Sequence, residues 1–335
     1  MVTSASPSPS GSPDVAAPLI VVGSINRDYF TFVRDFPRAG ETILATASSE
    51  GLGGKGCNQA VASAKLGHPT FFVGAVGDDP AGAASVRELV DYGVETSNVT
   101  TLESTATGAA YIAVNDSGEN TIIVHSGANA LVGDSLAGRD DFEARLGTAL
   151  DEAGARAVVL VQGELAASTN DRVAVLAEAR GLRLVANAAP VDAVSDSVIR
   201  RSSPLVVNET EAGDLIARIG RAPEHDPVVV IGALRDHYGI DVVVTLGSAG
   251  VIAVDGDGVW NQPAPRPGSV IDTTGAGDSF VGVLAATLCS GTSLRDAVRR
   301  AVAAASHSVT ARGIGSSYAT AAELDALEKA APHAH

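Results

Sequence analysis

The segment Pro18-Leu19-Ile20-Val21-Val22-Gly23 is an apolar run that ends in glycine, and a run of this kind predicts a fully buried first strand. Similar apolar runs recur downstream at residues 70–76, 157–161, 182–186, 205–207 and 241–246. Helical stretches separate the later runs, and buried strands that alternate with helices form a parallel sheet. The sequence therefore predicts an α/β fold with a central, mostly parallel sheet and helices on both faces. In such folds ligands bind at the carboxyl ends of the strands.

Shorter and more mixed segments predict a second, smaller sheet. Residues 30–33 and 41–47 have strand character, and residues 108–115 and 120–125 flank a hairpin turn at Asp116-Ser117-Gly118-Glu119. These segments interrupt the alternation of strands and helices, so we assign them to a separate lid. We expect a single domain over residues 18–331, with a β-sheet lid formed by about residues 26–50 and 105–126.

The composition limits the possible classes of function. The net charge of -16 over 335 residues repels phosphate backbones, so neither nucleic acid nor an acidic membrane is expected as a partner. Two cysteines are too few for a disulfide framework and suit a reducing compartment, which predicts a cytoplasmic location. No apolar run reaches the length of about 18 residues that a membrane span needs. Residues 1–17 are rich in Ser, Pro and Ala, which predicts a disordered tail.

The Gly-rich segment Asp272-Thr273-Thr274-Gly275-Ala276-Gly277-Asp278 precedes an apolar helical stretch. Gly275, Ala276 and Gly277 therefore fall at a helix N-terminus, where free N–H groups and the helix dipole attract anions. Asp278 lies in the first turn and has two interpretations. It is either an acid that favours the helix dipole, or a base that accepts a proton from a hydroxyl attacking a bound phosphate.

A second Gly-rich segment is Gly51-Leu52-Gly53-Gly54-Lys55-Gly56, which formally matches G-x-G-x-x-G. It does not follow the first strand directly, as a dinucleotide fingerprint should, and Gly56 stands where a P-loop has Ser or Thr. We interpret it as a loop whose glycines bring backbone N–H groups close to a polar ligand. Asn58, at the start of the following helix, would supply a side-chain amide to the same ligand. A flexible surface loop is the alternative.

Polar side chains follow several of the predicted strands. Asn26 and Asp28 come after the first strand, Glu164 follows residues 157–161, and Asn208 to Glu211 follow residues 205–207. These positions face the ligand side of a parallel sheet, which favours a binding role. Each residue is also compatible with a turn or a helix cap.

Taken together, these segments resemble the ribokinase-like (PfkB-type) carbohydrate kinases over residues 19–318. The most specific of the shared blocks is residues 272–278. The other blocks, in the family's order, are Gly23–Asn26 with Asp28, Pro37–Thr42, Gly53–Ala60, Val76–Asp79, Gly118–Asn120 with Gly127–Asn129, Asn208–Glu211 and Thr245–Gly250. The resemblance implies an α/β sandwich with a small β-sheet lid.

The resemblance also implies roles for individual residues. It makes Asp278 the catalytic base and Gly275, Ala276 and Gly277 the anion hole. Sugar contacts are implied at Asn26, Asp28, Gly53, Gly54, Lys55, Asn58, Glu164 and Asp278. ATP contacts are implied at Asn208, Thr245, Gly247, Ser248, Gly250 and Gly277. Glu211 matches the acid that organises Mg²⁺ through water, and a potassium site is implied at Asp272, Thr274, Ser308, Ala311, Gly313 and Ser317.

The activity that the resemblance implies is ATP-dependent phosphorylation of the primary hydroxyl of a pentose, with Mg²⁺ as the essential divalent ion and K⁺ as a monovalent activator. D-ribose is the leading candidate, which would give D-ribose 5-phosphate, and the alternatives are deoxyribose, fructose or a nucleoside. Arg27, Cys57 and the proline-free run Ser316-Ser317-Tyr318 depart from the expected pattern. The first two put the identity of the sugar in question.

Two rival functions come from other classes. A nicotinamide-dependent oxidoreductase would use the G-x-G-x-x-G match at residues 51–56. A non-catalytic sugar-binding protein would need neither Asp278 nor an anion hole. The resemblance further implies a homodimer, since pairing of two lids would cover the exposed edges of the small sheets.

Overall fold

Nine strands form the central sheet of the computed structural model, which describes residues 16–133 and 139–330. Most of the predicted tail lies outside the described residues. The strands are β1 (Leu19–Val22), β2 (Asn26–Phe32), β3 (Ala47–Gly53), β4 (Thr70–Gly77), β5 (Glu95–Leu102), β6 (Gly108–Val114), β7 (Asn120–His125), β8 (Val158–Gln162), β9 (Arg183–Asn187), β10 (Ser202–Asn208), β11 (Val242–Thr245), β12 (Val251–Asp255) and β13 (Gly258–Gln262). The helices are α1 (Lys55–Ala64), α2 (Pro80–Asp91), α3 (Arg139–Ala153), α4 (Ala167–Ala179), α5 (Asp196–Arg201), α6 (Glu209–Arg218), α7 (Pro227–Tyr238), α8 (Ala276–Cys289), α9 (Leu294–Ser308) and α10 (Ala321–Ala330).

The central sheet has the order β13-β12-β11-β10-β9-β8-β1-β4-β5. It is parallel from β11 to β5, and β12 and β13 add an antiparallel edge. The predicted α/β fold with a mostly parallel sheet is confirmed, although the sequence analysis did not predict β5, β12 or β13. Chain order reverses between β1 and β8, and a reversal of this kind opens a crevice at the carboxyl ends of the two strands.

Helices cover both faces of the sheet, so the inner strands are buried on both sides. In β1, Ile20 and Val22 pack into one apolar layer with helices α3 to α7. Leu19 and Val21 point the other way and pack against α1, α8 and α9. Successive side chains of a strand alternate between faces, so a continuous apolar run is what a strand between two helical layers requires.

The lid is a separate four-stranded sheet with the order β3-β2-β6-β7. The predicted hairpin is β6 and β7, but the strand predicted at residues 41–47 is wrong, because β3 begins at Ala47 and continues to Gly53. The lid therefore extends beyond residue 50. Pairing explains the difference: the polar and Gly-rich run of β3 has little strand character of its own and is held by its antiparallel ladder with β2.

Arg27 anchors the lid to the body of the protein. It lies on β2, and its buried guanidinium forms ion pairs with Glu88 of α2 and with Glu50 of β3. Alternation along β2 places this side chain on the face opposite Asn26 and Asp28. The bulky cation therefore points away from the residues that were predicted to contact the sugar.

Cys57 and Cys289 are both buried and free. In the described part of the chain, no helix combines the length and the apolar character needed to cross a membrane.

Candidate active site

The crevice between β1 and β8 brings three chain segments together at Glu164. The carboxylate oxygen Oε2 of Glu164 accepts hydrogen bonds from the Ser24 hydroxyl at 2.5 Å and from the backbone N–H of Lys55 at 2.9 Å. Ser24 follows β1, Lys55 begins α1, and Glu164 follows β8. The Glu164 carboxylate is thus held at the switch point of the sheet by the loop after β1 and by the first residue of α1.

Asn26 and Asp28 are held on the crevice-facing side of the lid by close packing. The side-chain oxygen of Asn26 accepts a hydrogen bond of 2.8 Å from the amide of Asn129. A Cβ on Gly53 would lie only 2.1 Å from the Asp28 carboxylate, so any larger residue at position 53 would displace that carboxylate. The role of Gly53 in this structure is therefore to make room for Asp28.

Asp278 lies in the first turn of α8, where two amides orient its carboxylate. Asn58 donates to Oδ2 and Gln59 donates to Oδ1, each at 2.9 Å. Both donors come from α1, the helix that the Gly-rich segment introduces. The helix that follows residues 51–56 therefore contacts the Gly-rich segment before α8, although the two segments are more than two hundred residues apart in sequence.

Among the buried oxygen atoms in this region that have no hydrogen-bond partner in the described part of the chain are Oδ1 of Asp28 and Oδ1 of Asn58. Unpaired buried polar atoms are costly, and a ligand with several hydroxyl groups would satisfy them. Burial, followed by the charges of Glu164 and Asp278, raises the pKa of Asp28 to about 7, and Arg27 opposes this effect. A polyol is thus the kind of ligand that this crevice fits.

A polar cavity of about 160 Å³ lies on the other side of Asp278. Lys55, Asn187, Asn208 and Glu211 line it together with Asp278. The nearby carboxylates, Asp278 first, raise the pKa of Lys55, so its ammonium form is favoured. Lys55 was predicted as a sugar contact; in the structure its backbone N–H binds Glu164, while its side chain lines this polar cavity.

A larger cavity of about 590 Å³ adjoins the polar one, and Thr245 and Gly277 line both. Its walls include Gly247, Ser248 and Gly250, which were predicted to contact ATP. The opposite wall is an apolar strip of α9 that includes Val302 and Ala305. An elongated ligand with an apolar ring and a charged end fits these two cavities in series.

The start of α8 borders the polar cavity through Gly275, Gly277 and Asp278. Gly275 has the left-handed φ of 76° and precedes the first helical residue. The backbone N–H groups of Gly277 and Asp278 have no hydrogen-bond partner in the described part of the chain. Free N–H groups at a helix N-terminus form an anion site, and here they border the cavity beside Asp278.

Asn208 and Glu211 form a capping box at the start of α6. The Asn208 side chain accepts from the Glu211 N–H and the Glu211 carboxylate accepts from the Asn208 N–H, both at 2.8 Å. The capping interpretation of these residues is therefore correct. Both also line the polar cavity, and burial raises the pKa of Glu211.

The residues assigned to potassium lie on two adjoining segments. The loop before α8 is held to the end of α9 by the Ile271 N–H, which donates to the Val309 carbonyl at 2.8 Å. Tyr318 donates to the Gly275 carbonyl at 3.0 Å and ties the later segment to the same loop. The Gly313 carbonyl accepts hydrogen bonds from Ser316 and Ser317 within its own turn, so this oxygen points into the turn.

The remaining assigned residues are placed as follows. The Asp272 carboxylate accepts from the Thr274 N–H at 2.9 Å, and the Ser308 hydroxyl donates to the Ala305 carbonyl at 2.9 Å. Ala311 lies in the bend that follows α9, and Gly54 has a φ of 90° immediately before α1. Ala276 opens α8 and lines the larger cavity.

Three polar residues at the site were not singled out from the sequence. Gln59 and Asn129 contact predicted site residues directly, and Asn187 ends β9 and lines the polar cavity. Asn187 follows an apolar run in the same way as Asn26 and Glu164. The end-of-strand rule applied to residues 182–186 would have found it.

With the geometry established, comparison with known proteins identifies the family. A model described as pfkB family carbohydrate kinase matches residues 16–321. The chain belongs to this family of carbohydrate kinases. As a member of the pfkB family it is a phosphotransferase that acts on an alcohol group, and this excludes the oxidoreductase and the non-catalytic binding protein. Residues 51–56 run from a lid strand into α1, which is not the position of a dinucleotide fingerprint.

The relatives of this carbohydrate kinase cover almost the whole chain. The ribokinase of Haemophilus influenzae is 33% identical over 313 residues, which cover 93% of this chain and 99% of that protein. The deoxyribokinase of Salmonella typhi is 31% identical over 301 residues, covering 90% of this chain and 95% of that protein. A solved structure of Arabidopsis thaliana ribokinase complexed with ribose and ATP has a TM-score of 0.84 at 31% identity, and the match covers 94% of this chain and 100% of that one.

The position of Asp28 predicts how stability depends on pH. Its folded pKa of about 7 lies above the ordinary value of 3.8, so the folded state binds more protons between these pH values. The contribution of Asp28 to stability is fully present below about pH 4 and is lost as the pH rises through about 7. At pH 8.5 we expect the free energy of unfolding of Asp28→Asn to exceed that of the unsubstituted protein by on the order of 2–4 kcal/mol. Near pH 4 the two free energies of unfolding should differ little.

Denaturant unfolding of the ligand-free protein at several pH values measures this difference. Asp116→Asn, on the exposed lid turn, is the control and should follow the unsubstituted protein at every pH. Parallel stability curves for Asp28→Asn and the unsubstituted protein across this range would contradict the prediction.

Proposed function

We propose that this carbohydrate kinase transfers the γ-phosphoryl group of ATP to the primary hydroxyl of D-ribose, giving D-ribose 5-phosphate. The observation that carries the proposal is the position of Asp278, which is hydrogen-bonded to Asn58 on the sugar side and lines the polar cavity on the other. The similarity to the ribokinase of Haemophilus influenzae and to the Arabidopsis thaliana ribokinase complexed with ribose and ATP supports the choice of substrates.

Sugar binding is assigned to polar groups around the crevice. The unpaired oxygen atoms of Asp28 and Asn58 accept hydrogen bonds from sugar hydroxyls. Glu164 and the Asn26 amide lie on the wall of an adjoining cavity of about 440 Å³ under the lid. Gly53 and Gly54 let the ligand approach the backbone at the point where β3 enters α1.

Asp278 acts as the base in the proposed reaction. It accepts the proton of the primary hydroxyl while that oxygen attacks the γ-phosphorus in line, and the bond from the γ-phosphorus to the β-γ bridging oxygen breaks so that ADP leaves. The N–H groups at the start of α8 donate to the oxygens of the transferring group, where negative charge is held. The proton passes from Asp278 to solvent when the products leave.

ATP is assigned to the two adjoining cavities, with its base in the larger one and its phosphates in the polar one. Lys55 supplies a cation in the polar cavity. The ATP-dependent family implies a divalent ion, and the carboxylate of Glu211 in the polar cavity fits Mg²⁺, which prefers oxygen and retains several waters. Glu211 uses Oε2 in the capping box, which leaves its other oxygen for a bound water. Mg²⁺ would supply neutralisation of the phosphate charge.

Potassium activation is a further part of the proposal. The candidate ligands are Asp272, Thr274, Ser308, Ala311, Gly313 and Ser317. The Gly313 carbonyl already accepts two hydrogen bonds within its turn, and the others offer carboxylate, hydroxyl and carbonyl oxygens, a donor set that suits a hard monovalent cation. The loop of Asp272 and Thr274 leads directly into Gly275 and the N-terminus of α8. A cation at this loop would therefore support the backbone that holds the transferring phosphoryl group.

The lid gives the proposed enzyme a way to exclude water and to dimerise. Register places Ile122 and Val124 on the same lid face as Asp28, and both are more than half exposed, at 52% and 59%. A second lid packed on this face would cover the apolar side chains and close the edge of the sugar pocket. We therefore propose a homodimer formed through the lid sheets.

Asp278→Asn tests the role of the base. We expect kcat to fall by about 100- to 10,000-fold with little change in the KM for ribose, because the amide keeps the shape of the carboxylate but does not accept the proton. Steady-state kinetics with ribose and ATP measure both constants.

Asp296→Asn is the matched control, since Asp296 occupies the same position in the first turn of α9 as Asp278 does in α8. If Asp278 served only to favour the helix dipole, its substitution by Asn should change kcat no more than the same substitution at Asp296. Near-normal turnover of Asp278→Asn would therefore contradict the proposed base.

Substrate choice and cation dependence can be tested in one assay. ADP release is measured with ribose, 2-deoxyribose, fructose and inosine, each in potassium chloride and in choline chloride. We expect the highest kcat/KM with ribose and faster turnover in potassium. A higher kcat/KM for 2-deoxyribose would instead favour the activity named for the Salmonella typhi relative, and equal rates in the two salts would remove the potassium assignment.

Ile122→Glu tests the lid interface. The unsubstituted protein should sediment at twice the chain mass of 33.7 kDa, and the variant should sediment as a monomer because it places a charge on the face to be covered. Val228→Glu, at a similarly exposed position on α7, is the control. A monomeric unsubstituted protein at micromolar concentration, or a dimeric Ile122→Glu variant, would contradict a lid-mediated dimer.

A further inference from the structure

Gln59 contacts the proposed base but has no place in the assignments made so far. It lies on α1 next to Asn58, and its side chain is fully buried at 0% exposure. Its amide nitrogen donates to Oδ1 of Asp278 at 2.9 Å and to Oδ1 of Asn187 at 3.0 Å. A primary amide has two N–H groups, so both of them are used in these two contacts.

Asn187 fixes which way the Gln59 amide points. Its own nitrogen donates to the backbone carbonyl of Val206 on β10 at 3.1 Å, which leaves its oxygen to face Gln59. Because a backbone carbonyl only accepts, the Val206 carbonyl determines which end of the Asn187 amide is the donor. The orientation of Asn187 in turn determines that Gln59 donates to it. A flipped Gln59 would place its oxygen against two acceptors, the Asn187 oxygen and the Asp278 carboxylate.

The chain of hydrogen bonds therefore starts in the central sheet and ends on the carboxylate. β9 and β10 are both buried strands, so Val206 and Asn187 are rigidly placed relative to the sheet. Asn58 holds the other oxygen of Asp278, and its own side-chain oxygen is the unpaired atom assigned to a sugar hydroxyl under the proposed function. Asn58 thus orients Asp278 with respect to the sugar, whereas Gln59 orients it with respect to the sheet.

We propose that Gln59, with its amide orientation fixed by Asn187, is a positioning residue that directs the Asp278 carboxylate toward the attacking hydroxyl. This inference rests on the proposed function, because it requires Asp278 to act as the base. Gln59 is enclosed below Asp278 and does not line the described sugar or phosphate cavities. Its loss should therefore affect the chemical step and leave the binding of both substrates nearly unchanged.

Two substitutions at position 59 have different expected effects. Gln59→Met keeps the volume and removes the donor, and we expect kcat to fall about 10- to 100-fold while the KM values for ribose and ATP stay within about threefold. Gln59→Glu keeps the shape but places a second carboxylate against Asp278. We expect its kcat to lie below that of Gln59→Met at pH 8 and to recover relative to Gln59→Met as the pH falls and the new carboxyl group becomes protonated.

Ser63→Ala provides the matched control. Ser63 lies one turn further along α1, is equally buried, and its hydroxyl shares a hydrogen bond of 2.7 Å with Thr70, far from the reacting groups. This variant should lose stability in denaturant unfolding and keep its kcat. A residue with a merely structural role would behave like Ser63, losing stability without the change in kcat and without the pH-dependent recovery.

The outcomes separate this inference from the proposed function. If Asp278→Asn is inactive while Gln59→Met and Gln59→Glu keep kcat within about twofold of the unsubstituted protein, the positioning role is wrong and the base stands. A rise in KM without a fall in kcat would also overturn it. If Asp278→Asn itself retains turnover, the proposed base fails first. Denaturant unfolding of both Gln59 variants beside Ser63→Ala establishes that each kcat belongs to folded protein.

Discussion

The balance of charge in the crevice at the end of β1 is the constraint on which the rest of the site depends. Asp28, Glu164 and Asp278 interact electrostatically, and Lys55 is a cation within range of two of these and of Glu211. Neutral donors offset much of the repulsion, since hydroxyl, amide and backbone N–H groups bind Glu164 and Asp278. The Asp28 oxygen Oδ1 is buried and has no donor among the described residues, and the pKa of Asp28 is raised to about 7. Sugar hydroxyls are donors of the kind it lacks, so sugar binding and ionisation of Asp28 should favour each other.

One strand of the lid, β2, contributes to both the crevice and the attachment of the lid. Alternation along β2 sends Asn26 and Asp28 toward the crevice and Arg27 toward α2, so a single short segment both lines the pocket and anchors the lid. The buried guanidinium is paired with two partly exposed carboxylates, which keeps its charge compensated. Arg27 looked from the sequence like a change in the sugar pocket. In the structure it is a connection between the lid and the body.

The parts of the fold that could be predicted from the sequence are those in which local pattern and tertiary environment agree. The apolar runs of β1, β8 and β11 needed no further information, because burial between two helical layers selects that pattern. β3 could not be predicted in the same way. Its sequence is polar and Gly-rich, and it becomes a strand because β2 pairs with it, while its last residue, Gly53, leaves room for Asp28. The Gln59 contact with Asp278 spans 219 residues and leaves no local trace, whereas Asn187 follows the rule that identified Asn26.

The segment before α8 shows why its residues have to be considered as one unit. Gly275 adopts a left-handed conformation that turns the chain into the helix, and its carbonyl is held by Tyr318. The Asp272 carboxylate binds the Thr274 N–H one residue earlier, and the end of α9 binds the same loop through Val309. The direction of the free N–H groups beside Asp278 is therefore set by segments that follow α8 in the chain. Under the proposed mechanism, a cation held between these segments would act on catalysis without contacting either substrate, because it would stiffen the turn that orients these N–H groups.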